Sequence, residues 1–204
     1  YALPVLDRQA RSGQPFFSVL LTISNHPPYI IPPYFHPRSR TTEEQIVEYA
    51  DWSIRNFMTE ALKRPWADHT LFVLLGDHGK LVGTPECESP QSYNHIPLMI
   101  YGRDIPPRIV DAYGGQVDLA PTLLGLLDIS YVQNDFGVDL LKEKRPYMYF
   151  TADNLIGVRD SSRLFLYFPD TQQEIRYRTE GTSVQAAEDD PAFRDMKQYG
   201  FAML

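Results

Sequence analysis

Apolar residues fall into short blocks along the first part of the chain, and polar clusters separate these blocks. Two blocks, at residues 15–23 and 70–76, are typical of strands buried in a parallel sheet. Between them, apolar residues recur with helical spacing over residues 42–63, which predicts an amphipathic helix. The order strand, helix, strand favours a right-handed crossover in a mostly parallel sheet. A further strand is predicted at residues 95–102, and a short apolar helix, whose first residue is placed to cap it, at residues 118–127.

The pattern changes at about residue 147, where short apolar runs alternate with Asp, Asn, Ser and Pro. Such runs predict an antiparallel meander, and Asp190 followed by proline predicts the start of a last helix. The predicted strands of the meander are residues 148–150, 155–159, 164–168 and 174–177. The sequence therefore predicts an α/β fold, with a mostly parallel sheet flanked by helices in residues 1–146 and a small antiparallel subdomain with a terminal helix in residues 147–204.

Composition and charge narrow the class of protein. The 204 residues are 43% hydrophobic and 13% aromatic, as in a globular protein with a sizeable core. The formal net charge of -7 argues against nucleic acid and anionic membrane surfaces as partners, because both select basic proteins. A single cysteine excludes an internal disulfide. No apolar run has the length of a membrane-spanning helix and no signal peptide is visible; since the chain begins at Tyr1 without methionine, we expect any targeting segment upstream in a longer protein.

The predicted strand at residues 70–76 stops abruptly at Gly76-Asp77-His78-Gly79. In open α/β sheets, ligands bind beyond the carboxyl ends of the strands, where Asp77 and His78 are expected to lie. An adjacent carboxylate and imidazole can share one divalent cation. Glycines on both sides allow the backbone to turn sharply and to approach a ligand closely. The pair alone is equally consistent with a polar strand end, in which the aspartate caps the backbone and the histidine is hydrogen-bonded.

Two further histidines lie beside predicted strands. His26 follows the strand at residues 15–23, and His95 begins the strand at residues 95–102. Each histidine alone is more typical of a surface residue or of a backbone hydrogen-bonding partner. If the strands are neighbours in one sheet, however, the site collects one carboxylate and three imidazoles. Such a cluster suits a metal ion together with an anionic ligand.

Cys87 and the remaining histidines are not predicted to carry chemistry. Cys87 lies between Glu86 and Glu88, and neighbouring carboxylates raise the pKa of a thiol, so we do not expect an activated nucleophile there. His36 lies in a proline-rich loop and His69 just precedes a strand, and we interpret both as structural or solvent-exposed residues.

The segment that contains Asp77 resembles part of a known family. Residues 71–79 are similar to the metal-binding strand of the alkaline phosphatase superfamily, which includes sulfatases, phosphoethanolamine transferases and lipoteichoic acid synthases. Two segments resemble the lipoteichoic acid synthase branch in particular. They are residues 16–29, which end in SNHPPY, and residues 113–124, which read YGGQVDLAPTLL. The resemblance extends over residues 14–141.

This resemblance implies a role for each candidate residue. Asp77 and His78 would be ligands of the catalytic divalent metal, and His26 would contact the phosphate or head group of the substrate. His95 resembles a histidine that phosphoethanolamine-transferase-like members place near the metal and the leaving group. His26 and His95 are therefore the expected catalytic and substrate-binding residues. Mn or Mg would suit an oxygen-rich site, and Zn would suit a site with more nitrogen ligands.

The chain also departs from the family pattern. The family's nucleophilic threonine and a further acidic metal ligand come from the N-terminal half of the domain, and neither motif is visible here. The sulfatase motif, Cys or Ser followed by x-Pro-x-Arg, is also absent. We therefore expect this chain to be the C-terminal half of a larger enzyme. The N-terminal half would supply the nucleophile, further strands and membrane-spanning helices.

The resemblance implies metal-dependent transfer of a phosphoglycerol-type group from a lipid donor to an acceptor hydroxyl through a covalent phospho-threonine. The implied partners are the lipid-linked phosphoglycerol or similar donor and the N-terminal half of the same protein. The implied location is the cell membrane, with the catalytic domain on the extracellular or periplasmic side. Two alternatives stay open: a phosphoethanolamine transferase or a sulfatase- or phosphatase-type hydrolase, and a catalytically silent module that uses the pocket for binding.

Overall fold

The computed structural model describes residues 1–152, 154–181 and 183–203. The chain divides into two compact units, Tyr1–Leu74 with Leu98–Pro106, and Leu75–Pro97 with Pro107–Leu204. The first unit contains the predicted amphipathic helix, and the second contains the Asp77 loop and the C-terminal meander. The domain boundary predicted at residue 146 stays a prediction.

The first unit packs helices against the start of a small sheet. Its elements are α1 (Ala2–Arg11), α2 (Thr42–Ala61), a 3-10 helix (Pro65–His69), β1 (Phe72–Leu75, which ends in the second unit) and β2 (Leu98–Tyr101). Ala61, Ala67 and Phe72 form a buried cluster that joins α2, the 3-10 helix and β1. Trp66 Nε1 donates a hydrogen bond to Asp7 Oδ1 at 2.8 Å, which ties α1 to the 3-10 helix. The helix predicted at residues 42–63 and the strand predicted at residues 70–76 are confirmed as α2 and β1. No element was predicted for the segment that forms α1.

The start of α2 follows from its sequence. Thr41 precedes the helix, and its Oγ1 accepts a hydrogen bond from Glu44 N at 3.3 Å. Glu44 Oε2 in turn accepts from Thr41 N at 3.4 Å. This reciprocal pair is a capping box, and the acidic residues of the first turn are also favourable at a helix N-terminus.

The strands β1 and β2 pair in a two-stranded sheet. Gly76 N, just after β1, donates to Pro97 O, just before β2, at 3.2 Å. At the other end, Leu71 lies against Gly102. The two strands therefore run antiparallel. As a result, the start of β2 lies beside the carboxyl end of β1. The sheets of the described residues contain no parallel strand pair, so the predicted right-handed crossover is not formed there.

The strand predicted at residues 15–23 is not formed among the described residues, so that prediction is wrong for this structure. Phe17, Val19, Leu21 and Ile23 are 84%, 74%, 81% and 78% exposed. The apolar pattern was interpreted as burial in a sheet. A strand also needs a hydrogen-bonded neighbour, and the described residues provide none to this run.

The second unit is built around an antiparallel sheet with the strand order β3-β4-β5-β6-β7. Its strands are β3 (Met148–Ala152), β4 (Leu155–Arg159), β5 (Arg163–Phe168), β6 (Gln173–Glu180) and β7 (Ser183–Ala186). Its helices are α3 (Gln91–Asn94), a 3-10 helix (Gln116–Asp118), α4 (Leu119–Leu126) and α5 (Pro191–Ala202). The predicted meander and terminal helix are confirmed, and β7 and α3 were not predicted.

Helix α5 covers the sheet and completes its core. Asp190 caps this helix, as predicted, because its side chain accepts from the backbone N–H groups of Ala192 and Phe193. Phe193 and Met196 of α5 are buried together with Val158 of β4 and Phe165 of β5. The core of the second unit therefore lies between the sheet and α5.

Asp118 does not cap α4, which corrects the prediction for this residue. Its side chain makes no hydrogen bond to the N-terminus of α4. The carboxylate instead accepts from Gly115 N and Val138 N, each at 2.9 Å. Arg145 Nε lies 2.9 and 3.0 Å from its two oxygens. Asp118 thus organises the loops around α4, because a buried carboxylate requires partners of this kind.

Candidate metal centre

The loop that follows β1 is held in place by backbone and side-chain hydrogen bonds. Gln116 Nε2 donates to Gly76 O at 3.1 Å and to Asp77 O at 2.8 Å. Gly79 N donates to Tyr93 O at 2.8 Å. A Cβ atom at Gly79 would lie 2.1 Å from the Ser92 carbonyl oxygen, so only glycine fits this close approach. The short sequence Gly76–Gly79 is therefore anchored on both sides.

Asp77 and His78 lie side by side in this loop and are open to solvent. Asp77 Oδ1 accepts a hydrogen bond from His78 N at 3.0 Å, which orients the carboxylate. The second oxygen, Oδ2, lies 3.7 Å from His78 Nε2. The side chains are 80% and 60% exposed, respectively. Each residue thus presents one polar atom that a ligand can reach.

The imidazole ring of His78 is also oriented by its neighbours. Its Nδ1 lies 2.7 Å from Gly79 O. A carbonyl oxygen can only accept, so Nδ1 carries the hydrogen and Nε2 keeps its lone pair in the neutral ring. The ring stacks on Tyr93 with a centroid distance of 5.4 Å and an interplanar angle of 21°. This is the arrangement that metal-binding histidines use, with one nitrogen on a carbonyl and the other free for the ion.

The donor pair fits a divalent cation. Metal–oxygen and metal–nitrogen bonds of about 2.0–2.2 Å place neighbouring ligand atoms about 3.0–3.5 Å apart. The observed separation of 3.7 Å between Asp77 Oδ2 and His78 Nε2 requires a closing of only a few tenths of an ångström. In the described part of the chain, no group of three or more His, Cys, Asp or Glu side chains is arranged to hold a metal. Asp77 and His78 therefore form a pair of adjacent donors, and their role as metal ligands stays a prediction.

His95 follows α3 and precedes β2. Its backbone N–H donates to Gln91 O at 2.8 Å, and its side chain is exposed. The antiparallel pairing of β1 and β2 places the neighbouring residue Ile96 against Gly76. The side chain of His95 is nevertheless not grouped with Asp77 and His78 into a three-ligand cluster within residues 1–152, 154–181 and 183–203. Its predicted catalytic role stays a prediction.

His26 belongs to the first compact unit. Its backbone N–H donates to Ile23 O at 3.2 Å, and its Nδ1 lies 2.8 Å from Pro27 O. The following peptide bond, between Pro27 and Pro28, is cis. The ring of His26 is exposed, and Nε2 is the nitrogen left for a ligand. The role predicted for this residue also stays a prediction.

A buried ion pair stabilises the element that carries Gln116. The Asp118 and Arg145 side chains are 0% and 4% exposed. Arg145 Nη1 also donates to Tyr199 OH at 2.9 Å. Burial lowers the pKa of Arg145, but the hydrogen bonds to Asp118 and Tyr199 outweigh it and raise that pKa well above its ordinary value. The guanidinium therefore stays charged, and the 3-10 helix that presents Gln116 to the loop is fixed at its last residue.

Cys87 is not activated, as predicted, although the main cause differs from the expected one. Its pKa is raised chiefly by burial, and the nearby carboxylates of Glu86 and Glu88 add to this. Cys87 packs against the buried leucines of β4 and β5, and its Sγ lies 3.3 Å from Ser89 O. The thiol is therefore a packing group of the second unit.

Sequence reasoning did not find three residues that support the site. Gln116 lies in the segment YGGQVDLAPTLL, and nothing in its residue type predicts a hydrogen bond to a loop about 40 positions away. Tyr93 stacks on His78 from α3, a single helical turn that no sequence pattern predicts. Arg145 lies 27 positions from Asp118, and no local pattern connects them.

Comparison with known proteins identifies the family to which the chain is similar. Residues 1–129 match the model of the sulfatase family. The chain is 28% identical over 166 residues to lipoteichoic acid synthase of Staphylococcus saprophyticus, which is 67% of this chain and 24% of that protein. It is 27% identical over 178 residues to lipoteichoic acid synthase 2 of Bacillus subtilis, which is 71% of this chain and 26% of that protein. The chain thus spans about a quarter of the length of these relatives.

A solved structure confirms the predicted fold class. The crystal structure of a protein of the alkaline phosphatase superfamily from Vibrio parahaemolyticus superposes with a TM-score of 0.86 at 26% identity. The match covers 98% of this chain and 50% of that one. Since the family model matches more than half of the chain and the fold agrees, the chain belongs to the sulfatase family, within the alkaline phosphatase superfamily.

Proposed function

We propose that this chain provides part of the metal and head-group site of an enzyme that moves a phosphoglycerol-type group from a lipid donor to an acceptor hydroxyl. The observation that carries the proposal is the pair of accessible donor atoms, Asp77 Oδ2 and His78 Nε2, in a loop whose backbone is anchored. The similarity to two lipoteichoic acid synthases supports this reaction class over others in the family.

The chain's own residues would hold and orient a divalent ion. Asp77 Oδ2 and His78 Nε2 would be its ligands, while Gly79 O keeps the hydrogen of His78 on Nδ1. When bound, the ion supplies Lewis-acid charge that offsets the negative charge on phosphoryl oxygens and lowers the pKa of a coordinated hydroxyl. Mn or Mg would match the carboxylate oxygen, and Zn would match a site in which a second imidazole joins His78.

The transfer would proceed in two balanced steps. A threonine from the N-terminal half of the same protein, present as its alkoxide, would attack phosphorus, so that a threonine–phosphorus bond forms and the bond to the lipid oxygen breaks. His26 or His95, in its protonated form, gives a proton to the leaving alkoxide of the lipid. The acceptor hydroxyl would then lose its proton to that histidine and attack phosphorus, and the threonine would be released as its alkoxide, ready for the next cycle. His26 and His95 would also hold the transferred group.

The proposed setting is the outer side of the cell membrane. No helix in the part of the chain that the structure describes is long and apolar enough to cross a bilayer. We propose that upstream helices of the same protein anchor it and that the catalytic domain is extracellular or periplasmic. The lipid donor would then reach the Asp77 loop from the outer leaflet.

The test compares Asp77→Asn with unchanged protein, both prepared with the upstream sequence. Each is incubated with Mn and vesicles that contain phosphatidylglycerol, and release of diacylglycerol is measured. We expect Asp77→Asn to lower the rate by at least about 100-fold. Substitution of a residue that only supports a metal ligand lowers metal affinity or activity about 10–100-fold, and loss of the ligand itself should cost at least as much. Asp104→Asn, which removes a carboxylate from an exposed position, is the matched control and should retain the rate.

The products and the bound metal decide between the alternatives. Release of free glycerol phosphate with no transfer would indicate a hydrolase. Faster cleavage of phosphatidylethanolamine than of phosphatidylglycerol would indicate a phosphoethanolamine transferase. Absence of turnover in the unchanged protein would favour a silent binding module. Anomalous diffraction from crystals of this chain soaked in Mn or Zn should give a peak between Asp77 and His78. A rate that survives in Asp77→Asn would contradict the metal role.

A further inference from the structure

A cavity of about 200 Å³ lies in the second unit between the loop before β2 and the edge of the meander sheet. It is lined by Glu88, Ser89, Pro90, Tyr93, Asn94, Ala152, Leu155 and Phe168. The Tyr93 ring, which lines this cavity, also stacks on His78 at 5.4 Å. The cavity is therefore separated from the candidate metal ligand by a single aromatic side chain.

One wall of the cavity is apolar and aromatic. Leu155 is buried, Phe168 is half-buried and Tyr93 is 44% exposed. Aromatic and aliphatic side chains of this kind pack against the C–H groups of a ligand. The wall is supported from behind, since Cys87 and Phe168 pack against the buried leucines of β4 and β5.

The other wall offers hydrogen-bond acceptors. Asn94 Nδ2 donates to Ser89 Oγ at 2.8 Å and to Pro90 O at 3.2 Å, so the amide donor is engaged within the loop. The amide oxygen of Asn94 is consequently the part left for a ligand. Glu88 Oε2 accepts from Tyr177 OH at 2.6 Å, which fixes the carboxylate and leaves Oε1. A carboxylate is an acceptor only, so both groups require a ligand that donates.

The loop that carries these acceptors is already attached to the sheet. Tyr177 of β6 holds Glu88, and Arg159 of β4 donates from Nη2 to Gln91 Oε1 at 3.4 Å. The cavity is thus formed without a ligand, which reduces the entropy lost on binding.

We propose that this cavity binds the polyol end of the acceptor, a glycerol or sugar unit whose hydroxyl groups donate to Glu88 and Asn94 and whose C–H groups lie on Tyr93 and Phe168. The proposal rests on the proposed transfer function. The carboxylate of Glu88 repels a phosphate group, so the anionic donor belongs at the metal and the neutral acceptor belongs in the cavity. About 200 Å³ is room for one polyol unit.

The direct test is an NMR titration of the chain with glycerol and, separately, with methyl glucoside. We expect the side-chain amide signals of Asn94 and the ring signals of Tyr93 to shift with both probes. Asn94→Leu and Glu88→Gln should each weaken binding about tenfold, since each removes or weakens one hydrogen bond to the ligand. Asn134→Leu and Glu143→Gln, at exposed positions away from the cavity, are the matched controls and should bind as the unchanged chain does.

Two results would overturn the proposal. Absence of shifts at Asn94 and Tyr93 at high glycerol and glucoside concentrations would show that the cavity takes no polyol. Tighter binding of ethanolamine, lost in Glu88→Gln, would assign the cavity to a cation instead. The titration needs neither metal nor lipid donor, so its result can be interpreted even if the proposed transfer function is wrong. In the whole enzyme, Asn94→Leu should lower the ratio of transfer to hydrolysis about tenfold.

Discussion

The candidate histidines His78 and His26 are each oriented by a hydrogen bond to a neighbour along the chain. His78 Nδ1 lies 2.7 Å from Gly79 O, and His26 Nδ1 lies 2.8 Å from Pro27 O. Each carbonyl belongs to the next residue, and each leaves Nε2 with a lone pair in the neutral ring. A histidine in this state can bind a cation or accept a proton. The sequence predicts the residue type, but the tautomer depends on side-chain torsions that no pattern specifies.

Removal of the buried carboxylate of Asp118 should destabilise the fold strongly. We expect Asp118→Asn to lower the free energy of unfolding by about 3–5 kcal/mol, because the guanidinium of Arg145 would remain buried without its counter-charge. Arg145 is only 4% exposed, so water cannot replace the carboxylate. Urea unfolding followed by circular dichroism measures the change.

An exposed ion pair provides the control for Asp118→Asn. Asp51 and Arg55 lie one turn apart on α2, and their side chains are 69% and 71% exposed. Asp51→Asn should cost at most about 0.5 kcal/mol, since solvent screens such pairs. Equal effects of the two substitutions would mean that burial is not the source of the Asp118 contribution.

Whole elements differ in how far the sequence determines them. The meander strands and α2 satisfy their backbone hydrogen bonds locally or with the next strand, so periodicity and caps predict them. The run at residues 15–23 has the composition of a strand, but its formation depends on a partner that is distant in sequence. The antiparallel direction of β2 depends on the path of residues 76–97, which no short pattern encodes.

The link between β6 and α5 should make stability depend on pH. Glu174 of β6 accepts a hydrogen bond from Lys197 Nζ of α5 at 2.5 Å, and this bond is the main cause of a Glu174 pKa below its ordinary value of 4.5. A lowered folded-state pKa contributes stability above the unfolded pKa. That stability is lost as the pH falls through the lower, folded value.

Glu174→Gln isolates this contribution. The unchanged chain should be more stable than the variant at pH 7, and the two should converge as the pH falls below 4.5 and through the lowered, folded-state pKa of Glu174. Urea midpoints across this range measure the difference. Glu180→Gln, at the exposed end of β6, should show no such convergence. A gap between the Glu174→Gln and unchanged curves that does not narrow as the pH falls below 4.5 would assign the effect to something other than ionisation.

At the scale of the whole molecule, the sequence indicates which polar residues end a strand, but it does not indicate which distant segments meet them. Asp77 and His78 are adjacent in the chain, so their proximity was certain, and the end of β1 was visible as a change from apolar to polar residues. Supporting contacts join distant segments, as Gln116 does with Gly76. In the described residues, no cluster of three potential metal ligands is assembled. Long-range contacts of this kind follow from the fold and have no local signal.

The exposed apolar run at residues 16–23 should make the chain associate with itself. Phe17, Val19, Leu21 and Ile23 are all at least 74% exposed, and burial of each stabilises by about 1.5–3 kcal/mol. An apolar, unpaired segment of this kind can form a strand with another copy. We therefore expect light scattering after size exclusion to show oligomers that grow with concentration. In the proposed full enzyme, the N-terminal half would cover this run.

Leu21→Lys tests whether this run causes the association. A lysine in the middle of the run should shift the chain towards monomer, because pairing would bury its charge. Val132→Lys is the matched control, since Val132 is 94% exposed but lies outside the run, and it should leave the oligomers unchanged. A chain that is monomeric at all concentrations, or equal effects of the two substitutions, would mean that residues 16–23 are not an association surface. Suppression of the Leu21→Lys effect by added N-terminal half would identify the natural cover of this run.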